Sequence, residues 1–285
     1  MRTTSLALAA AAAHCAADDF GDLRPRLTVL CNSTLLGASG DGAQFRRVQQ
    51  ILLHPDSAPA EARAQLLSAS KADVSAGGFG AGDLALALLD SPILDIPPVK
   101  VATAAAMQGI GAPGQELWVV GWGAVNSDRN EATAYPFTLR EAALPLVPAE
   151  RCEALYEETG VTEDGRSGWI DPNASFCAGY TSGVQSLPCE GDSGGPLLYA
   201  PTLDDPATHV QVGLVNGGAG LCGGPSLPAI FSRLDHYQSW IAAALAEVDS
   251  RASELDILTG VGPGVAQAEQ FVSRELGDGT ASKQP

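Results

Sequence analysis

Residues Cys189–Leu197 read "CEGDSGGPL". One serine, Ser193, stands among glycines, with Asp192 directly before it. Glycines at this density permit a tight turn and remove side chains that would block close approach of a substrate to the backbone. The N–H groups of Gly191 and Ser193 can then converge on an oxygen that gains negative charge. The same letters contain Gly-x-Ser-x-Gly, a pattern that also occurs on strand-to-helix elbows. Such an elbow needs a helix directly after the serine, and Gly194-Gly195-Pro196 makes a poor first helical turn. It also needs its acid and histidine after the serine. His209 and His236 would be available, but "DLALALL" upstream, Asp83–Leu89, is then left without a role. The stretch reads instead as a nucleophile on a glycine loop between strands.

The sequence around it supports that reading. Short apolar runs recur between Gly, Pro, Asn and Asp: "RLTVL" (Arg26–Leu30), "VQQILL" (Val48–Leu53), "ELWVVGWG" (Glu116–Gly123), "PLLY" (Pro196–Tyr199) and "VQVGLV" (Val210–Val215). Several alternate or are β-branched, as strands do. Ala60–Ser68 has the composition of a short helix, and "GGFGAG" (Gly77–Gly82) that of a turn. No helix-opening segment follows that turn, so it is not a phosphate loop. Long helical periodicity begins only at Leu234, with Tyr237, Trp240, Ile241, Leu245 and Val248 on one face. An all-β sandwich or barrel with a C-terminal helix follows from this order.

Composition narrows the function classes. The chain has 285 residues, 45% hydrophobic and 17% charged, which suits a globular protein with an ample core. A net charge of −17 repels phosphate and argues against nucleic acid as a partner. No apolar run reaches the ~18–20 residues that span a bilayer. None of the 6 cysteines forms Cys-x-x-Cys, which argues against zinc and dithiol redox chemistry. Asn32-Ser-Thr and Asn173-Ala-Ser match the N-glycosylation pattern.

Three motifs then stand in order: "AAAHC" (Ala11–Cys15), "GDLALALL" (Gly82–Leu89) and "GDSGGPL" (Gly191–Leu197). Together they resemble the His, Asp and Ser motifs of the chymotrypsin/trypsin-like serine proteases, peptidase family S1. "ILLHPD" (Ile51–Asp56), "VVGWG" (Val119–Gly123), "LREAALPLVPAERC" (Leu139–Cys152), "FCAGY" (Phe176–Tyr180) and "PAIFSRL" through "YQSWI" (Pro228–Ile241) resemble further family segments. The resemblance covers roughly residues 5–245 and implies a serine endopeptidase. It implies two packed antiparallel six-stranded Greek-key β-barrels, the first incomplete, with a C-terminal α-helix. The domain would span 1–245, with 246–285 a helix extension and a loosely ordered acidic tail.

The roles that the resemblance carries over follow residue by residue. Ser193 would attack the peptide carbonyl, His14 would accept its proton, and Asp83 would orient the imidazole. Gly191 and Ser193 N–H groups would form the oxyanion hole. Leu187 would sit at the base of the specificity pocket, with Gly218 and Ala229 as small walls. An apolar base cannot pair a buried cation, so cleavage is expected after apolar or small residues rather than Lys or Arg. Asn216-Gly217 departs from the family's Ser-Trp pair. Cys152 would pair with Cys177 and Cys189 with Cys222, while Cys15 either joins Cys31 or stays a free thiol. No metal or cofactor is implied. The expected partners are protein or peptide substrates and protein inhibitors, and the protein is expected to be a secreted monomer. The alternative is a non-catalytic homologue acting as a binding or regulatory module.

The first residues carry a second reading. "SLALAAAAAHCAAD" (Ser5–Asp18) has the composition of a secretory leader, yet also that of a strand leading to His14. The strand reading is preferred, with Leu6–Ala13 delivering His14. The family also uses a new N-terminal amine beside the acid preceding the nucleophile, here Asp192. No Val-Gly-Gly-like start precedes His14, so the sequence is expected to be a shortened form of a longer one.

Overall fold

A computed structural model describes residues 8–11, 27–36, 42–57, 82–125, 134–158, 171–183, 186–218 and 227–259. They fall into two units, Ser5–Ala242 and a second made of Met1–Thr4 with Ala243–Pro285. The larger unit is built of strands, as the recurrent short apolar runs require.

Its first sheet holds β1 (Leu8–Ala11), β2 (Thr28–Cys31), β3 (Gln44–Leu53) and β4 (Ala85–Leu89) in the order β1-β4-β3-β2. All neighbours are antiparallel, with Leu8 opposite Leu88 and Leu53 opposite Ala85. The stretch read as either leader or strand therefore contains a strand, paired along its length with β4. "ALALL" of β4 is buried almost throughout, because it is an interior strand of this sheet.

The second sheet comprises β5 (Lys100–Val101), β6 (Glu116–Gly121), β7 (Arg140–Val147), β8 (Ser175–Ala178), β9 (Pro196–Tyr199), β10 (Val210–Gly217) and β11 (Ala229–Arg233). Six of these close on themselves in the order β11-β8-β7-β6-β9-β10, with β10 returning to β11. Closure removes the sheet edges. Leu117, Leu144, Leu197, Val212 and Phe231 fill the core, each at 0% exposure. The fold is thus the expected one, a closed six-stranded barrel and a partial sheet with a terminal helix. One pairing lies outside the antiparallel pattern: β5 runs parallel to β10 over two residues.

Two helices sit where no long periodicity marks them. In α1 (Ala104–Ile110) the Thr103 side chain caps the first turn by accepting from Ala106 N at 3.1 Å. Helix α2 (Ala149–Glu158) follows Pro148 and carries Cys152, which is bonded to Cys177 of β8. The disulfide lies in a buried cluster with Val147, Tyr156 and Ile230. Closing a loop of 25 positions is worth ~3–4 kcal/mol in the chain-entropy model.

Helix α3 (Leu234–Thr259) starts directly after β11 and runs further than the apolar stripe ending at Val248. Within the larger unit, Leu234, Tyr237 and Ile241 pack with Leu84, Ala174 and Leu214. That cluster places the helix beside the start of β4. Among the described residues no helix is long and apolar enough to cross a membrane.

Candidate active site

The loop carrying Ser193 joins the turn after Cys189 to β9. Its bends are local. Gly191 and Gly194 adopt φ of +90° and +76°, where a side chain would be strained. Asp192 N donates to Cys189 O at 2.9 Å, and Gly195 N to Asp192 O at 2.8 Å. A reciprocal pair ties the loop to β10: Gly194 N to Val215 O at 2.8 Å and Val215 N to Gly195 O at 2.9 Å. Ser193 is half-buried at the turn. Among the described residues, neither Gly191 N–H nor Ser193 N–H has an acceptor.

Asp192 braces the loop from inside. Its carboxylate accepts from Gly123 N at 2.8 Å through one oxygen and from Cys189 N at 2.9 Å through the other. This explains both glycines of Gly121-Trp122-Gly123, since a Cβ at either would fall on that carboxylate. Asp192 also borders a cavity of about 310 Å³, shared with Val120, Leu187 and Pro188.

Asp83 lies at 4% exposure just before β4. Gly82 beside it holds φ +84°. The backbone around Asp83 is pinned on every side: Gly82 N donates to Tyr237 Oη at 2.6 Å, Ser232 Oγ to Asp83 O at 3.2 Å, and His54 N to Leu84 O at 2.9 Å. Tyr237 is a member of the apolar helix stripe whose hydroxyl the periodicity does not reveal. The signal available was its identity, because a buried tyrosine generally finds a partner for its oxygen.

Of the other expected site residues, His14 lies outside the described residues, as do Cys15, Cys222 and the segment Ala60–Ser68. Cys189 is in a disulfide, while Cys31 is a free thiol. The option of a Cys15–Cys31 bridge is therefore not realised; burial also pushes the Cys31 thiol up, partly offset by Arg46. Ala229 belongs to the barrel core, and Leu187 packs against the same cluster. Gly218 abuts Ala229, whose Cα lies 3.5 Å from where a Gly218 Cβ would stand. Leu187 lines the cavity beside Asp192, whereas Gly218 and Ala229 do not.

The remaining histidines have structural surroundings. His54 meets Tyr237 and Trp240 edge-on at 4.9 and 5.0 Å, and its Nδ1 accepts from Asp56 N at 3.2 Å. His209 Nε2 contacts Thr202 O at 3.1 Å on the surface, and His236 lies edge-on to Tyr237 at 4.7 Å. No group of three or more His, Cys, Asp or Glu among the described residues is arranged to hold a metal ion. A search against protein families matches the Trypsin family model over residues 8–241.

Proposed function

Because the chain belongs to the trypsin family of serine proteases, we propose that it is a serine endopeptidase working through His14, Asp83 and Ser193. Ser193 Oγ attacks the scissile carbonyl as His14 removes its proton. The negative oxygen is received by the N–H groups of Gly191 and Ser193. The tetrahedral species collapses to an acyl-enzyme as His14 returns the proton to the leaving amine, and water then repeats the sequence to release the acid. Asp83 fixes the imidazole tautomer and stabilises the imidazolium.

The observation that carries this reading is the turn at Gly191–Ser193. Its two N–H groups have no acceptor among the described residues, on a loop braced from within by Asp192. The burial of Asp83 beside the start of β4 adds support, since an acid that orients a base is shielded from bulk water. Leu187 at the pocket base, with Gly218 and Ala229 as walls, favours apolar or small residues before the scissile bond. A bridge from Cys189 to Cys222 would brace the loop opposite. Family membership and the Cys152–Cys177 disulfide support a secreted protein acting on proteins or peptides in an oxidising compartment.

A fluorophosphonate probe tests the mechanism. The expected result is labelling of the full chain at Ser193 and none of Ser193→Ala. A folded chain that stays unlabelled while a control serine protease reacts would favour the reading as a non-catalytic homologue with a binding or regulatory role. Profiling a peptide library tests specificity, and a dominant preference for Lys or Arg would overturn the role given to Leu187.

A further inference from the structure

The Asp83 loop takes its hold from side chains 149 and 155 positions further along the chain. We propose that Ser232 and Tyr237 are positioning residues for Asp83, and that Asn216 sets the direction of the Ser232 hydroxyl. This rests on the reading of Asp83 as the acid that orients the catalytic base.

The two residues grip the peptide groups that flank the Asp83 side chain. Tyr237 Oη receives the Gly82 N–H at 2.6 Å, and Ser232 Oγ donates to the Asp83 carbonyl at 3.2 Å. On the far side there is no slack: a Cβ on Gly82 would lie 2.6 Å from the Asp56 carbonyl carbon. With the flanking peptides fixed, the direction in which the carboxylate leaves the backbone is fixed as well.

A serine hydroxyl has one proton. Ser232 gives it to Asp83, so it can only accept from its other neighbour, and Asn216 Nδ2 stands 3.0 Å away. Asn216 is 2% exposed. It reaches this place through a bulge in β10, where Val215 pairs with Phe231, Gly217 pairs with Ile230, and Asn216 is the extra residue between them. Bulges re-aim side chains and are enriched beside active sites. Here the bulge gives Asn216 a place facing Ser232 of the paired strand. Its Oδ1 has no hydrogen-bond partner among the described residues, a cost that a purely structural contact would have little reason to keep.

The Tyr237 hydroxyl is suited to its role because it stays neutral. Burial, chiefly, with the charges of Asp171, Asp56 and Asp83, holds the phenol above its ordinary range, against the opposing bond from Gly82. His54 is the ring that meets it edge-on from the strand side, and His236 meets it from its own helix.

Neither Ser232 nor Tyr237 is placed to touch substrate in this arrangement, so loosening either should lower kcat and leave KM alone. A misdirected carboxylate also stabilises an imidazolium less, so the pKa of the base falls and the acid limb of the kcat/KM profile moves to lower pH. The test compares the full chain with Tyr237→Phe, Ser232→Ala and Ser232→Thr, using fluorophosphonate titration to count active sites. The first two variants should lose about tenfold in kcat per active site, with KM within about twofold and the acid limb shifted down. Ser232→Thr, which keeps the hydroxyl, should recover most of both. Unchanged kcat per active site together with an unmoved limb would overturn this inference while leaving the triad intact. A wild-type chain that does not label overturns the triad reading, and this inference with it.

Discussion

The loops bearing Ser193 and Asp83 differ in how much of their geometry they supply themselves. The Ser193 loop combines bonds of its own, Asp192 to Cys189 through both backbone and side chain and Gly195 back to Asp192, with ties to Gly123, Ala124 and Val215. Among the described residues, the Asp83 loop has an internal bond from Leu84 N to Gly82 O and takes further hold from His54, Ser232 and Tyr237. The nucleophile loop brings part of its geometry with it and takes the rest from the barrel, whereas the acid's geometry exists only once sheet, barrel and helix have met. Damage to the first should therefore show locally and in rate. Damage to the second should also cost stability.

The largest effect should come from Asp192→Asn. A carboxylate accepts from Gly123 N and Cys189 N with separate oxygens, whereas an amide presents an NH2 to one of those N–H groups. The Gly191–Ser193 turn then loses its brace, and fluorophosphonate labelling at Ser193 should slow by ~10²–10³, the scale of losing an oxyanion donor. Labelling at the wild-type rate would mean that the loop is held by its backbone alone.

Two glycine substitutions compare the loops directly. Gly82→Ala places a methyl at φ +84° against the Asp56 backbone, which cannot swing away. The expected cost is ~2–4 kcal/mol in denaturant unfolding, combining left-handed strain with overpacking. Gly191→Ala at φ +90° meets the Tyr135 ring at 3.3 Å instead, and a half-exposed ring can shift. Its cost should stay near the ~1–2 kcal/mol of the backbone strain, with the labelling rate more affected than the stability. Equal costs would erase the distinction between a loop walled by backbone and one walled by a side chain.

The same contrast explains what the sequence made legible. A nucleophile on a glycine loop can be read from nine letters because its glycines, its serine and the internal bonds of Asp192 lie within those letters, although its ties to Gly123 and Val215 do not. "PLLY" coincides with β9 end to end, and "VQVGLV" lies within β10, since burial on a closed barrel writes itself into short apolar runs. Helix α1 is hidden because "AAAMQGI" has little polar face to set a period. Helix α2 sits inside a segment recognised chiefly for its cysteine. Tyr237 can be placed on an apolar stripe, but the partner of its hydroxyl is 155 positions away. Asn216 stands out as a departure from a family pair, yet its contact with Ser232 depends on a bulge that exists only in register with β11.

The smallest effect separates the two forces acting on Tyr237. Burial and three neighbouring carboxylates raise its pKa, while the bond from Gly82 N–H lowers it, and the net direction is upward. A phenol raised in the folded state contributes stability that is fully present below the unfolded value of about 10 and is lost as pH rises through the folded value. Phenylalanine does not titrate. The stability gap between wild type and Tyr237→Phe, expected at ~1 kcal/mol, should therefore be flat up to about pH 9 and shrink above pH 10 in denaturant unfolding. A gap that widens instead would show that the Gly82 bond to the phenolate outweighs burial. The Asp83 loop would then be held more tightly by the charged form of its anchor than by the neutral one.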